Sequence, residues 1–138
     1  MRAPRDQGGT AGPTAPAPTA RHWAEALARR YLEELGFTHL ASNYRLRGGE
    51  LDLVMQDGAT VVVVEVKQRK DARHGHPAEA LRRPQLTRLR RTAEHFTAVA
   101  LGRPDAAVRL DLVTVVGGED SHRLEHRPGV SWGRGADA

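Results

Sequence analysis

The sequence predicts an α/β domain in which a central sheet is covered by helices. Three observations predict it. Apolar residues recur at helical spacing from His22 to Leu35, the strand Val61–Gln68 is β-branched and apolar on both faces at its start, and a second helical pattern separates it from another strand, Val108–Val116. A strand that is apolar on both faces needs cover on both, which places it centrally.

The chain has 138 residues, 39% hydrophobic and 28% charged, which fits one domain with a modest core. Lys and Arg number 21 against 17 Asp and Glu, a formal net charge of +4, and the pI is about 10.3. That balance favours polyanionic partners without by itself establishing nucleic-acid binding. With no cysteine, disulfide frameworks and thiolate zinc sites are excluded, and a reducing cytoplasm is compatible. No apolar run approaches the ~18 residues that span a bilayer, and the N-terminus has no hydrophobic signal stretch. A soluble cytoplasmic protein with no membrane partner is therefore expected.

Residues 1–20 are rich in Pro, Ala, Gly and Thr and contain no Leu, Ile, Val or aromatic residue, so they are expected to be a disordered tail. The domain is expected over 21–127. In the first helix, Ala24, Leu27, Ala28, Tyr31, Leu32 and Leu35 form the apolar stripe, and Gly36 is placed to stop it in the left-handed conformation. Trp23 and Tyr31 are expected to pack in the core. His39–Tyr44 is a candidate first strand, followed by a polar link, Arg45–Gly49. Glu50–Gln56 alternates, Thr60–Gln68 is nearly continuous in β-branched residues, and Asp57-Gly58 between them is a strong hairpin signal. A loop made of those two residues pairs Gln56 with Ala59, Val54 with Val61, Asp52 with Val63 and Glu50 with Glu65. Residues 72–83 read as a polar link entering a short helical turn. Pro84 opens a new helix or kinks a continuous one, with Leu81, Gln85, Leu89, Ala93 and Phe96 continuing to about Ala100. Gly102-Arg103-Pro104 breaks it, Val108–Val116 is a strand, Ser121–Glu125 is a weak edge strand, and 128–138 is expected to be flexible.

The hairpin register has a chemical consequence. Glu50, Asp52, Val63, Glu65 and Lys67 share one face, with Asp52 a diagonal neighbour of Glu65. A slip of one residue would destroy that convergence. An ordinary ion pair would account for Glu65 and Lys67 alone. Adding Asp52 and Glu50 changes the balance, because acids on adjacent strands repel unless a cation or proton lies between them. Mg²⁺ or Mn²⁺ is the expected cofactor, since such hard ions take carboxylate and carbonyl oxygens, here Asp52, Glu65 and the backbone carbonyl of Val66. Lys67 on the same face would position an attacking water, lower its pKa or stabilise negative charge growing on a phosphate.

Asp52 followed by Glu65-Val66-Lys67 in the next strand resembles the acid-plus-ExK signature of the PD-(D/E)XK nuclease superfamily. In order and spacing, "AEALARRYLEELGF", "NYRLRGGELDLV", "VVVVEVKQRK", "GHPAEAL" and "RLDLVTV" resemble the bacterial YraN-like family of predicted endonucleases, related to archaeal Holliday junction resolvases. The resemblance covers about Ala24 to Val116. It implies a restriction-endonuclease-like mixed sheet flanked by helices, a single metal-dependent active site, Asp52, Glu65 and Lys67 as the core triad, and Glu25 as a helical glutamate that adds a metal or water ligand. Two departures stand out. Ala24 replaces the family's glycine before Glu25, and Gln85 occupies a position usually held by lysine, where its amide still has the length to reach the site.

Weaker signals accompany these. Arg45 and Arg47 precede the catalytic strand, and Arg82, Arg83, Arg88, Arg90 and Arg91 form a basic helix face. Each set is either a solvated exterior or a surface for the DNA backbone. His74 and His76 lack an evident third ligand for a metal clip. Asp111 alternates with Leu110 and Leu112 and is expected to hydrogen-bond at the outer face of the sheet. The expected function is metal-dependent endonucleolytic hydrolysis of DNA, branched or repair intermediates included. The alternative is a non-catalytic nucleic-acid-binding module with the same fold. Cleavage of a four-way junction needs two active sites, so a homodimer is expected by analogy.

Overall fold

The computed structural model describes residues 20–71 and 81–132. Along the chain run α1 (Ala20–Glu34), β1 (Thr38–Leu46), β2 (Gly49–Asp57), β3 (Thr60–Arg69), α2 (Arg83–His95) with a π-helical turn at Phe96–Ala100, β4 (Val108–Gly117) and β5 (His122–Arg127). Residues 1–19 of the expected tail, the link carrying His74 and His76, and residues 133–138 lie outside the described residues. The five strands form one sheet in the order β1-β2-β3-β4-β5. The β3–β4 pair is parallel and the other pairs are antiparallel. This is the expected α/β class, a mixed sheet flanked by helices, consistent with a restriction-endonuclease-like fold.

Among the described residues, each face of the sheet carries one helix. Ala24, Ala28 and Leu32 of α1, four apart, pack on Leu53, Met55, Val62, Val64, Val66, Val113 and Val115. The alanines let the helix lie close to the strands, and Trp23 and Tyr31 pack against the same cluster, as expected. On the other face, Leu86, Leu89, Ala93 and Phe96 of α2 and its π-helical extension pack on Leu51, Val54, Val61, Val63, Leu110 and Leu112. β3 contributes valines to both clusters, as its pattern requires.

The ends of the elements follow from local chemistry. Gly36 has φ +102°, its N–H bonds to Glu33 O at 2.9 Å, and the Phe37 N–H bonds to Leu32 O at 3.0 Å. That is a Schellman stop, with Phe37 and Leu32 in one apolar cluster. Pro84 lies in the first turn of α2, so it opens the helix rather than kinking a longer one. The expected continuation to Ala100 is there, with a change of pitch: Leu101 N–H reaches back five residues to Phe96 O.

Three expectations need correction. β1 is longer than His39–Tyr44 and takes in Arg45 and Leu46, which leaves Arg47-Gly48 as the turn into β2. The β2–β3 loop is Gly58-Ala59 rather than Asp57-Gly58, because Asp57 pairs with Thr60 and Val54 with Val63. Among the four residues of that turn only Gly58 has positive φ, +61°, which matches a II′ turn with glycine at its first central position and not the I′ turn that Asp-Gly would form. The domain also runs past the expected boundary at residue 127. Val130 N–H donates to Leu110 O at 2.7 Å, and Val130 and Trp132 pack on the core.

At Gly49, the first residue of β2, α2 lies close against the strand. A Cβ there would overlap Thr92 Oγ1 and stand 3.4 Å from the Arg88 carbonyl. Thr92 is buried and its hydroxyl already donates to Arg88 O, so it has little room to yield. Gly49→Ala is expected to lower stability by about 1–3 kcal/mol through overpacking, read as a reduced denaturation midpoint with an unchanged denaturant slope.

Candidate active site

A cleft of about 400 Å³ opens between β2, β3 and α2. Gly49, Glu50 and Asp52 of β2, Glu65, Val66 and Lys67 of β3, and Gln85, Arg88 and Leu89 of α2 line it. The register differs from the expected one by two residues, which by itself does not turn the acids away from Glu65 as a shift of one would. It also brings Asp52 opposite Glu65 instead of diagonal to it.

At this point β2 and β3 part. Their ladder ends at Leu53↔Val64, one residue before the two acids. Val61 N–H bonds to Ala107 O ahead of β4, so by alternation the Val66 N–H faces β2. There it donates to Asp52 Oδ2 at 2.9 Å. The Asp52 carboxylate thus takes up an amide freed by the divergence of the strands, and the separation makes the cleft.

Glu65 is almost fully buried. Gln85 Nε2 donates to its Oε2 at 2.8 Å, and Lys67 Nζ stands 3.3 Å from the same oxygen. Burial, then the charge of Asp52, push the Glu65 carboxyl up to about 8; the opposing pull of Lys67 is smaller. The native protein therefore holds a proton there that the unfolded chain has released. Between the ordinary value of 4.5 and about 8, native stability falls as pH rises, because the folded state binds more protons. In a metal chelator, Glu65→Gln is expected to match the parent near pH 4.5 and to be more stable at pH 8.5, by an amount on the order of a few kcal/mol. Thermal melts at the two pH values check it; a variant less stable at pH 8.5 would show that burial of this charge is not costly.

Other expected site residues are placed differently. Glu25 is buried on α1 but is not among the residues that line the cleft. It reaches the site through Asn43, whose Nδ2 donates to Glu25 Oε1 at 3.1 Å and to Glu50 Oε2 at 3.4 Å. Arg45 pairs with Glu50 at 3.5 Å, and Arg47 is exposed in the adjoining turn. Arg88 forms part of the wall, while Arg82 and Arg83 are exposed at the start of α2. Arg90 departs from the basic face, pairing with Glu94 beside a smaller hollow of about 200 Å³. Among the described residues no group of three or more His, Asp or Glu side chains is placed to hold a metal ion.

Asp111 is not at the outer face of the sheet. It is fully buried and accepts from Arg109 Nε at 2.8 Å, Arg109 Nη2 at 3.1 Å, His126 Nε2 at 2.8 Å and Gly129 N at 3.0 Å. Burial works against its ionisation, yet these hydrogen bonds hold its carboxyl below the usual range. Its role is to bind β4, β5 and the segment after β5 together. Alternation in the sequence located Asp111 on the strand beside Arg109 but carried no sign of the two donors arriving from elsewhere, His126 and the Gly129 N–H. Asn43 gave one faint signal, as a residue disfavoured within strands and tolerant of left-handed backbone.

The model of the Uncharacterised protein family UPF0102 matches residues 24–115, well over half of the chain. The chain belongs to the UPF0102 family. It is 45% identical over 92 residues to a UPF0102 protein of Shewanella pealeana, covering 67% of this chain and 80% of that protein. A UPF0102 protein of Acidothermus cellulolyticus is 40% identical over 123 residues, 83% of this chain and 89% of the relative. A UPF0102 protein of Thermus thermophilus is 44% identical over 104 residues, 75% and 89% of the two chains. The matched span contains every residue of the UPF0102 cleft, from Gly49 to Leu89.

Proposed function

We propose that this UPF0102 protein is a Mg²⁺- or Mn²⁺-dependent deoxyribonuclease of the PD-(D/E)XK type. Its substrates would be DNA, including branched or repair intermediates, in the cytoplasm. One observation carries the reading: Asp52, Glu65 and Lys67, from two strands that part locally, meet in a single open cleft beside a basic helix.

The donor set suits a hard divalent ion. Magnesium is held through one or two carboxylates and keeps several waters, so it needs no closed cage of side chains. Asp52 and Glu65 supply two carboxylates. The Val66 carbonyl leaves β3 on the same side as the Val66 N–H that bonds Asp52, as the residue geometry of a strand requires. The proton that Glu65 retains in the metal-free protein has the same origin as its affinity for a cation, namely two acids forced together out of water. A bound ion would supply Lewis-acid polarisation of the phosphate and activation of water.

The remaining residues then have separable tasks. Lys67, partly buried beside Glu65, presents an ammonium where negative charge builds on the phosphate or where an attacking water must be oriented. Gln85 holds the Glu65 carboxylate through its amide and does so without adding a charge. Arg88 in the wall and the exposed Arg45, Arg47, Arg82 and Arg83 around it suit contacts with successive phosphates, which fix position rather than sequence. Two cuts in a four-way junction would require two copies of the chain.

The test is cleavage of labelled linear, flapped and four-way DNA with and without Mg²⁺ or Mn²⁺, alongside Asp52→Asn and Lys67→Ala. Metal-dependent cutting lost in both variants is the expected result. Binding without cutting would identify the non-catalytic module, and neither binding nor cutting would leave the acids as a structural ion-pair network.

A further inference from the structure

Asn43 is the one non-glycine residue among those described with a positive φ, +52°. It lies mid-way along β1, flanked by the pairs Ser42↔Leu53 and Tyr44↔Leu51, so the register sets it opposite Asp52. Left-handed backbone inside a strand is unfavourable for any residue with a Cβ, though less so for Asn than for most. Such strain persists where the surroundings over-determine it, often beside functional groups.

The backbone alone does not account for the residue. Glycine would adopt the same φ at no steric cost. What glycine lacks is the amide, and the Asn43 amide has a defined task. Its nitrogen donates to Glu25 Oε1 at 3.1 Å and Glu50 Oε2 at 3.4 Å, one hydrogen available for each acid. Glu25 comes from α1 on one face of the sheet, and Glu50 lines the cleft. Neutral and doubly donating, the amide lets two carboxylates approach one another next to Asp52 without adding a charge to the cleft.

We infer that Asn43 is a positioning residue that ties Glu25 to Glu50 and so holds the acidic wall of the cleft in place. The role belongs to the proposed hydrolytic site and rests on that reading. It also gives Glu25 a route of influence that needs no direct contact with the cleft.

Asn43→Gly separates the two parts of the residue, since it keeps the backbone conformation and removes the amide. The expected results are a thermal midpoint close to that of the parent, increased NMR mobility of the Glu25 and Glu50 side-chain methylenes, and about ten-fold weaker Mn²⁺ binding with cleavage reduced to match. Glu25→Ala combined with Asn43→Gly should weaken Mn²⁺ binding no more than the more severe single change, because both remove the hydrogen bond from the Asn43 amide to Glu25. Unchanged glutamate mobility in Asn43→Gly overturns the inference whether or not the protein cuts DNA, and so do losses that multiply in the double variant. A parent protein that neither binds Mn²⁺ nor cuts overturns the hydrolytic reading instead, and the NMR measurement then decides alone whether the amide ties the two acids.

Discussion

Asp52→Asn is expected to reduce metal-dependent DNA cleavage by about a thousand-fold, equivalent to roughly 4 kcal/mol of transition-state stabilisation. The fold should survive the change. Asn keeps an oxygen able to accept the Val66 N–H that now bonds Asp52 Oδ2 at 2.9 Å, and it occupies nearly the same volume. What disappears is one negative charge, from one of the two carboxylates, Asp52 and Glu65, that would hold the ion in the proposed site. The same substitution removes the repulsion that helps keep Glu65 protonated, so the metal-free variant should melt no lower than its parent. Single-turnover cleavage at saturating Mg²⁺, with a thermal melt of the same preparation, checks both halves. Retained cleavage in a folded Asp52→Asn protein would remove Asp52 from the metal site and leave the proposed chemistry without its first acid.

Asp111→Ala should do the reverse, costing the fold rather than the chemistry. The carboxylate has no exposure and serves Arg109, His126 and the Gly129 N–H at once. Truncating it takes the acceptor from an imidazole and an amide and reduces the Arg109 guanidinium to its 3.4 Å contact with Asp57, a loss of about 3–5 kcal/mol for a buried charge network. For a domain of this size that is a fall of at least ~10 °C in the thermal midpoint. Asp111→Asn, which keeps one good acceptor and adds a donor, should fall between the two. Because Asp111 lies on the α1 side of the sheet and away from the cleft, any cleavage by the protein that remains folded should proceed at the parental rate. A midpoint within 2–3 °C of the parent would mean that the network adds little net stability, as happens when desolvation cancels the ion pair.

Asp52 and Asp111 look alike in the sequence: each interrupts an alternating apolar run, "ELDLV" and "RLDLV". Pattern alone could not separate an acid aimed at a cleft from an acid clamped in the core. The separation comes from what surrounds each one. Beside Asp52 the strands diverge and leave an opening, while Asp111 meets donors from β5 and the segment beyond it. In the sequence the nearby Glu65-Val66-Lys67 singles out Asp52 as the candidate site acid, because three ionisable groups at fixed strand spacing are costly to place without partners.

The hairpin teaches a similar lesson. Asp-Gly implied a loop one residue too early, and the tertiary structure chose Gly58-Ala59, where only one residue needs positive φ. Asp52, Glu65 and Lys67 nonetheless line one cleft, although alternation is interrupted within β2, where Leu51 packs on the α2 side and Leu53 on the α1 side.

Local order in this protein was written in the chain itself: the helix periods, the glycine stop at Gly36, the proline start of α2, the doubly apolar β3 and the sharing of one face by Asp52, Glu65 and Lys67. These follow from spacing and from backbone chemistry within a few residues, and neither needs a distant partner. The parting of β2 from β3, the reach of Gln85 to Glu65, the link from Glu25 through Asn43 to Glu50 and the enclosure of Asp111 were decided only when the elements packed. Each joins residues 14 to 20 positions apart or brings separate strands together, so its energy depends on where whole helices and strands come to rest.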